Sequence, residues 1–162
     1  MDVPLSNEDI QLALKDSEGF QGVFSYDVLP RLEDGDFTIV NTDNILPVWD
    51  DPEGGHHWLT VCRDGDRILV FDSFGRSLAQ MERDYTEPRL KRFFFDAYPD
   101  CQILTNTQVL QDTSTAVCGR YAILVGQLFS NSGSIEEVLS SLRKAFGSDR
   151  SEEHTSELQS RS

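Results

Sequence analysis

With 162 residues, 38% of them hydrophobic, the chain has the size of one domain, and its longest apolar runs, near Ala122–Val125 and Ile68–Phe71, are too short to cross a bilayer. A net charge of −14 repels nucleic acid, and the only local clusters of basic residues, Arg89–Arg92 and Arg143–Lys144, fit the solvated faces of helices. Cys62, Cys101 and Cys118 have no CxxC spacing, which excludes a disulfide scaffold and a thiolate zinc site; with no basic-then-apolar leader, an intracellular protein is expected.

In chain order, Leu5-Ser6-Asn7-Glu8-Asp9-Ile10 has the signature of a helix start. Ser6 caps, Asp9 sits three residues on, and Leu5 and Ile10 form a hydrophobic staple, predicting a helix to about Lys15. FTIVNT (Phe37–Thr42) is β-branched and reads as a strand, and Asn41 to Glu53 as a loop. Trp58–Cys62 and Ile68–Asp72 read as strands paired around Arg63-Asp64-Gly65-Asp66, where Asp-Gly signals a two-residue hairpin turn. Thr86-Glu87-Pro88 opens a helix to about Ala97, with Phe93, Phe94 and Phe95 assigned to the core. Ile103 to Leu110 is a weaker strand. Thr113, Ser114 and Thr115 offer caps to an apolar helix from Ala116 to Phe129. Ser134 caps a last helix, Ile135 to Phe146, whose Ile135, Val138, Leu139, Leu142 and Phe146 share one face.

Residues 1–149 are thus expected to form a single domain. The segment RSEEHTSELQS (Arg150–Ser160) is polar and aperiodic and resembles the translation of a sequencing adapter. Residues 150–162 are therefore read as a non-native tail, and the domain as truncated at its C-terminal end.

Chemistry concentrates in GGHHWLTVCRDGDRILVFDSFG (Gly54–Gly75). With Asp64-Gly65 at the centre of the turn, His57 faces Asp72 and His56 faces Ser73, with facing Cβ atoms about 5 Å apart. A carboxylate beside an imidazole fixes its tautomer and stabilises its charged form. His56 then points to the opposite face. Cys118, in TSTAVCGRY, lies at the predicted N-terminus of a helix, where the dipole and free N–H groups favour a thiolate. Gly119 would let a substrate backbone approach closely. Together these residues describe an activated thiol: Cys118 attacks, His57 moves the proton, Asp72 orients His57, and Gln111 donates to an oxyanion. Each residue alone also fits a bland role; the thiol of Cys118, for one, suits a small core residue.

The ordered set His-Trp, Asp, Gln, Cys-Gly resembles the adenain family of adenovirus-type cysteine endopeptidases, within the larger group that includes the SUMO-specific proteases. FTIVNT followed by GGHHW is similar to the family's strand, loop and histidine-tryptophan motif. LVFDSFG is similar to the strand carrying the acidic residue, FQGVFSYDVLP (Phe20–Pro30) to the N-terminal segment, and Gln111 stands seven residues before Cys118 as the family's glutamine does. The resemblance implies an α+β, papain-like fold with a mixed central sheet packed against the nucleophile helix. It implies His57 as general base, Asp72 as the acidic member, where adenains commonly have glutamate, and Cys118 as nucleophile. Gln111 and the Cys118 backbone N–H would form the oxyanion hole, and Trp58 would pack near the triad.

The implied activity is cleavage of viral precursor proteins during virion maturation, by a monomer in the virion and host cell nucleus. No cofactor is needed for the chemistry and no membrane is involved. Family members are stimulated by a short viral peptide disulfide-linked to a cysteine, which Cys101 in YPDCQIL matches in position, and by DNA, which the acidic charge of this chain opposes. Two alternatives use the same residues differently: an isopeptidase that removes SUMO or ubiquitin, and a non-catalytic binding module.

Overall fold

A computed structural model of the chain describes residues 5–25, 28–41, 57–85, 90–106, 118–146 and 156–159. Helix α1 (Asn7–Leu14) starts at the expected capping box: Ser6 Oγ accepts from Asp9 N at 3.2 Å, and Asp9 Oδ2 accepts from Ser6 N at 3.1 Å. Its buried residues are Ile10 and Leu14, at the i, i+4 spacing that one helical face requires.

The strands are β1 (Phe20–Ser25), β2 (Phe37–Asn41), β3 (Trp58–Asp64), β4 (Arg67–Phe71), β5 (Gln102–Asn106) and β6 (Ser156–Gln159), and they lie in the sheet in that order. The β1–β2 and β4–β5 pairs are parallel; β2–β3, β3–β4 and β5–β6 are antiparallel. β6 belongs to the segment read as a tail, and its backbone pairs with the outer edge of β5, from Ile103 opposite Gln159 to Asn106 opposite Ser156.

Every residue of β2 is buried, so the sheet is covered on both faces. The remaining helices are α2 (Leu78–Tyr85), α3 (Leu90–Ala97), α4 (Cys118–Ser132) and α5 (Ile135–Phe146). Phe37, Ile39, Leu69, Phe71 and Leu104 point to one face, against α1, α4 and α5. Val40, Ile68, Val70 and Ile103 point to the other, against α2 and α3. The period-two alternation of the strands thus assigns each side chain to one of two cores. Helix α4 lies close on the sheet because Gly126 has no side chain; a Cβ there would stand 2.7 Å from Phe37 Cε2. Thr60 Oγ1 ties the two together by donating to Ala122 O at 2.8 Å. The expected α+β arrangement, a mixed sheet against the helix that begins at Cys118, is therefore present.

Two expectations need correction. Helix α2 was not anticipated, although Ser77 and Gln80 form a capping box: Ser77 Oγ accepts from Gln80 N at 3.2 Å, and Gln80 Oε1 from Ser77 N at 2.9 Å. Its polar sequence hides it: among its described side chains, Leu78 and Met81 are the ones that enter the core. Of the three phenylalanines, Phe94 is fully buried, while Phe93 and Phe95 flank the core part-buried. At the end of α5, Phe146 is 42% exposed and meets Tyr121 edge-on at 5.9 Å.

Other boundaries hold or run out. Ser134 Oγ accepts from Glu137 N at 3.2 Å, as a cap for α5 should. The loop at 42–56, the helix opening at 86–89, the strand end at 107–110 and the caps at 113–115 lie outside the described residues. Among the described residues no helix is long and apolar enough to cross a membrane.

Candidate active site

The β3–β4 hairpin has a different register from the expected one. Asp64 pairs with Arg67 and Thr60 with Phe71, so the turn is centred on Gly65-Asp66, one residue later than Asp64-Gly65. Gly65 has φ 63°, a conformation that side chains disfavour, which explains why the glycine leads the turn. Continued past the strand ends, this register puts Phe74 opposite His57 and makes Asp72 the diagonal neighbour. Because the hairpin slips by two positions in pairing, His57 and Asp72 still share a face. Diagonal neighbours remain within reach of long side chains. Both expected consequences occur: the His57 ring stacks on Phe74 with centroids 4.8 Å apart and planes at 13°, and His57 Nε2 lies 2.5 Å from Asp72 Oδ1.

Asp72 is prepared by its own neighbours. Its Oδ1 accepts from Phe74 N at 3.1 Å, a turn that aspartate forms with the residue two ahead. Its carbonyl accepts from Gly75 N at 2.8 Å, closing a turn that Gly75 leaves with φ 71°. The chain thereby doubles back, and Arg76 reaches Asp72 Oδ2 twice, from its backbone N at 3.2 Å and from Nε at 2.8 Å. The Arg76 guanidinium also stands 4.7 Å from the centre of the Phe74 ring.

A distant residue holds the Asp72 backbone. Asn106, the last residue of β5, accepts from Asp72 N through Oδ1 at 2.8 Å and donates from Nδ2 to Asp72 O at 2.7 Å. The amide continues the β4–β5 ladder one step beyond the strands with a side chain in place of a backbone.

His57 and Asp72 are both buried, at 3% and 0% exposure. Burial by itself would push the Asp72 carboxyl up, but the hydrogen bond and charge of His57, followed by those of Arg76, outweigh it and hold the group at about 2. A carboxylate kept ionised beside an imidazole stabilises the imidazolium form. With Nε2 turned to Asp72, proton exchange with a nucleophile would run through Nδ1.

Cys118 is the first residue of α4; its side chain, like all of Gln111 and His56, lies outside what the structure describes. The fold nevertheless locates that helix end. Gly119 is buried, and a Cβ on it would stand 3.3 Å from Trp58 Cδ1 and 3.2 Å from Leu5 Cβ. The start of α4 is therefore packed against the residue next to His57. The missing side chain of Gly119 thus admits Trp58 and Leu5. Trp58 is itself pinned, with Nε1 donating to Leu5 O at 3.1 Å.

The other cysteines differ in kind. Burial pushes the Cys62 thiol far up, and the Asp64 charge adds to this, so Cys62 stays a protonated core residue. Cys101, just before β5, is 7% exposed and packs in the core beneath α2 and α3. Sequence reasoning missed Phe74, Arg76 and Asn106. The run Asp-Ser-Phe-Gly-Arg was the available signal for the first two, because a turn of that length returns an arginine to the aspartate.

A family model described as adenovirus endoprotease matches residues 20–142, which contain every one of these residues except Leu5. A comparison with curated proteins gives no match.

Proposed function

The chain belongs to the adenovirus endoprotease family, whose members are cysteine endopeptidases acting on protein substrates, and on that premise we propose that it cleaves viral precursor proteins during particle maturation, in the virion and host cell nucleus, through Cys118, His57 and Asp72. The observation that carries this reading is the buried His57–Asp72 pair at 2.5 Å, next to the residue against which the start of α4 packs.

The chemistry follows from those positions. At the N-terminus of α4 the helix dipole favours Cys118 as a thiolate, with the proton on His57 Nδ1 and Asp72 balancing the imidazolium charge. The sulfur attacks the scissile carbonyl carbon, and the C=O electron pair moves to oxygen. The Cys118 backbone N–H and the Gln111 side-chain amide would stabilise that oxyanion. Collapse of the tetrahedral intermediate breaks the C–N bond, and His57 passes its proton to the leaving amine. Water then gives a proton to His57 and attacks the thioester carbon; the C–S bond breaks, releasing the acid and restoring the Cys118 thiolate beside the protonated His57.

The test is Cys118→Ala in a cleavage assay on a viral precursor polypeptide. Turnover should disappear while the thermal unfolding curve stays that of the parent; cleavage that persists in this variant refutes the assignment.

A further inference from the structure

We propose that Arg76 is a positioning residue for the thiol chemistry, holding Asp72 so that Oδ1 is committed to His57; this deepens the reading of His57 and Asp72 as catalytic and rests on it. A carboxylate with one bound oxygen can turn about its terminal torsion, which is broad and soft. Asp72 cannot turn in this way. Oδ2 is taken by Arg76 Nε at 2.8 Å and by the Arg76 backbone N at 3.2 Å, while Oδ1 takes Phe74 N at 3.1 Å and His57 Nε2 at 2.5 Å. Four donors fix two oxygens in one orientation.

The guanidinium acts on the imidazole by a second route. Phe74 packs against both, 4.8 Å from the His57 ring and 4.7 Å from Arg76 Cζ. A cation near an aromatic ring and a ring stacked on it each contribute modest attraction that depends on placement. Arg76 therefore restrains the imidazole through the carboxylate it bonds and through the ring that it stacks on. Its side chain is only 15% exposed, so the ion pair is poorly screened, unlike the Arg92–Asp96 pair at 3.5 Å, whose side chains are 81% and 70% exposed. Lysine does not reproduce the arrangement, because a flexible ammonium has no planar face to lay on Phe74.

The test compares Arg76→Ala, Arg76→Lys and Asp72→Asn with the parent by steady-state kinetics and thermal unfolding. Arg76→Ala should lower kcat per folded molecule about 10- to 100-fold with KM little changed, as displacement of a catalytic group does. Arg76→Lys should recover part of that loss. A kcat for Arg76→Ala within about twofold of the parent, where positioning predicts a far larger loss, overturns the inference. So does a loss that Arg76→Lys shares fully and that tracks the amount of unfolded protein. Asp72→Asn separates the two levels: if it too leaves kcat intact, the catalytic reading itself fails, whereas an inactive Asp72→Asn beside a fully active Arg76→Ala sinks only the role of Arg76.

Discussion

The two ends of the β3–β4 hairpin carry the same pair of residue types and use them for different ends. At the turn, Asp64 Oδ2 meets Arg67 at 3.1 Å and accepts from Ile135 N at 3.0 Å, while Arg67 also reaches Glu136 at 3.2 Å. Asp64 and Arg67 are 25% and 29% exposed. At the open end, Asp72 and Arg76 are 0% and 15% exposed, and the carboxylate adds His57. An Asp–Arg pair that water reaches serves as a strap between a hairpin and the first turn of α5, where a negative charge suits the helix N-terminus. The same pair removed from water becomes a fixed charge that holds an imidazole. Burial, which strengthens the interaction and penalises any unpaired member, makes the difference.

Breaking the buried end should have the largest effect. Asp72→Asn keeps the shape but loses the charge and can present the wrong hydrogen-bonding group to Nε2. Turnover is expected to fall by about 10²- to 10⁴-fold with the fold retained, measured as kcat together with circular dichroism. Activity within a few-fold of the parent would place the carboxylate outside the chemistry.

Acid titration of stability sharpens the comparison next. The Asp72 carboxyl lies below its ordinary value of 3.8, at about 2 in the folded protein. A lowered folded value means that its contribution is fully present above pH 3.8 and is lost as pH falls through about 2. The stability difference between the parent and Asp72→Asn should therefore shrink over that window by on the order of 2 kcal/mol, followed by urea unfolding at stepped pH. A difference that stays constant with pH would count against an ionised, buried Asp72.

The exposed end should yield least. Asp64→Ala removes a contact to the first turn of α5 and a partly screened ion pair, so urea unfolding should show a loss of about 1 kcal/mol. Turnover per folded molecule should stay that of the parent. A selective fall in turnover would mean that the two hairpin ends are coupled and do not have separate roles.

Much of this was legible in the sequence where the cause is local. The Ser6 capping box, the Ser134 cap and the β-branched run of β2 depend on side chains within a few residues of the backbone they affect. The shared face of His57 and Asp72 was legible too, because a slip of two in a hairpin preserves parity, even though direct opposition was expected and the diagonal is what forms. The turn centre itself was ambiguous, since Asp64-Gly65 and Gly65-Asp66 are both acceptable turn pairs and the strands on either side choose between them. Helix α2 was overlooked because its short polar sequence carries little periodicity, although the Ser77–Gln80 box announces its start.

The amino-acid sequence by itself determined which residue types are available for thiol chemistry, the strand and helix periods that order them, and the tight turn that brings Arg76 back to Asp72. Only the tertiary structure decided how deeply Asp72 is buried, that Asn106 from 34 positions away clamps its backbone, and that Gly119 seats the start of α4 on Trp58. The physical reason is one of range. Turns and caps are closed by hydrogen bonds among near neighbours, whereas burial and the meeting of distant strands and helices depend on the packing of the whole sheet between its two layers.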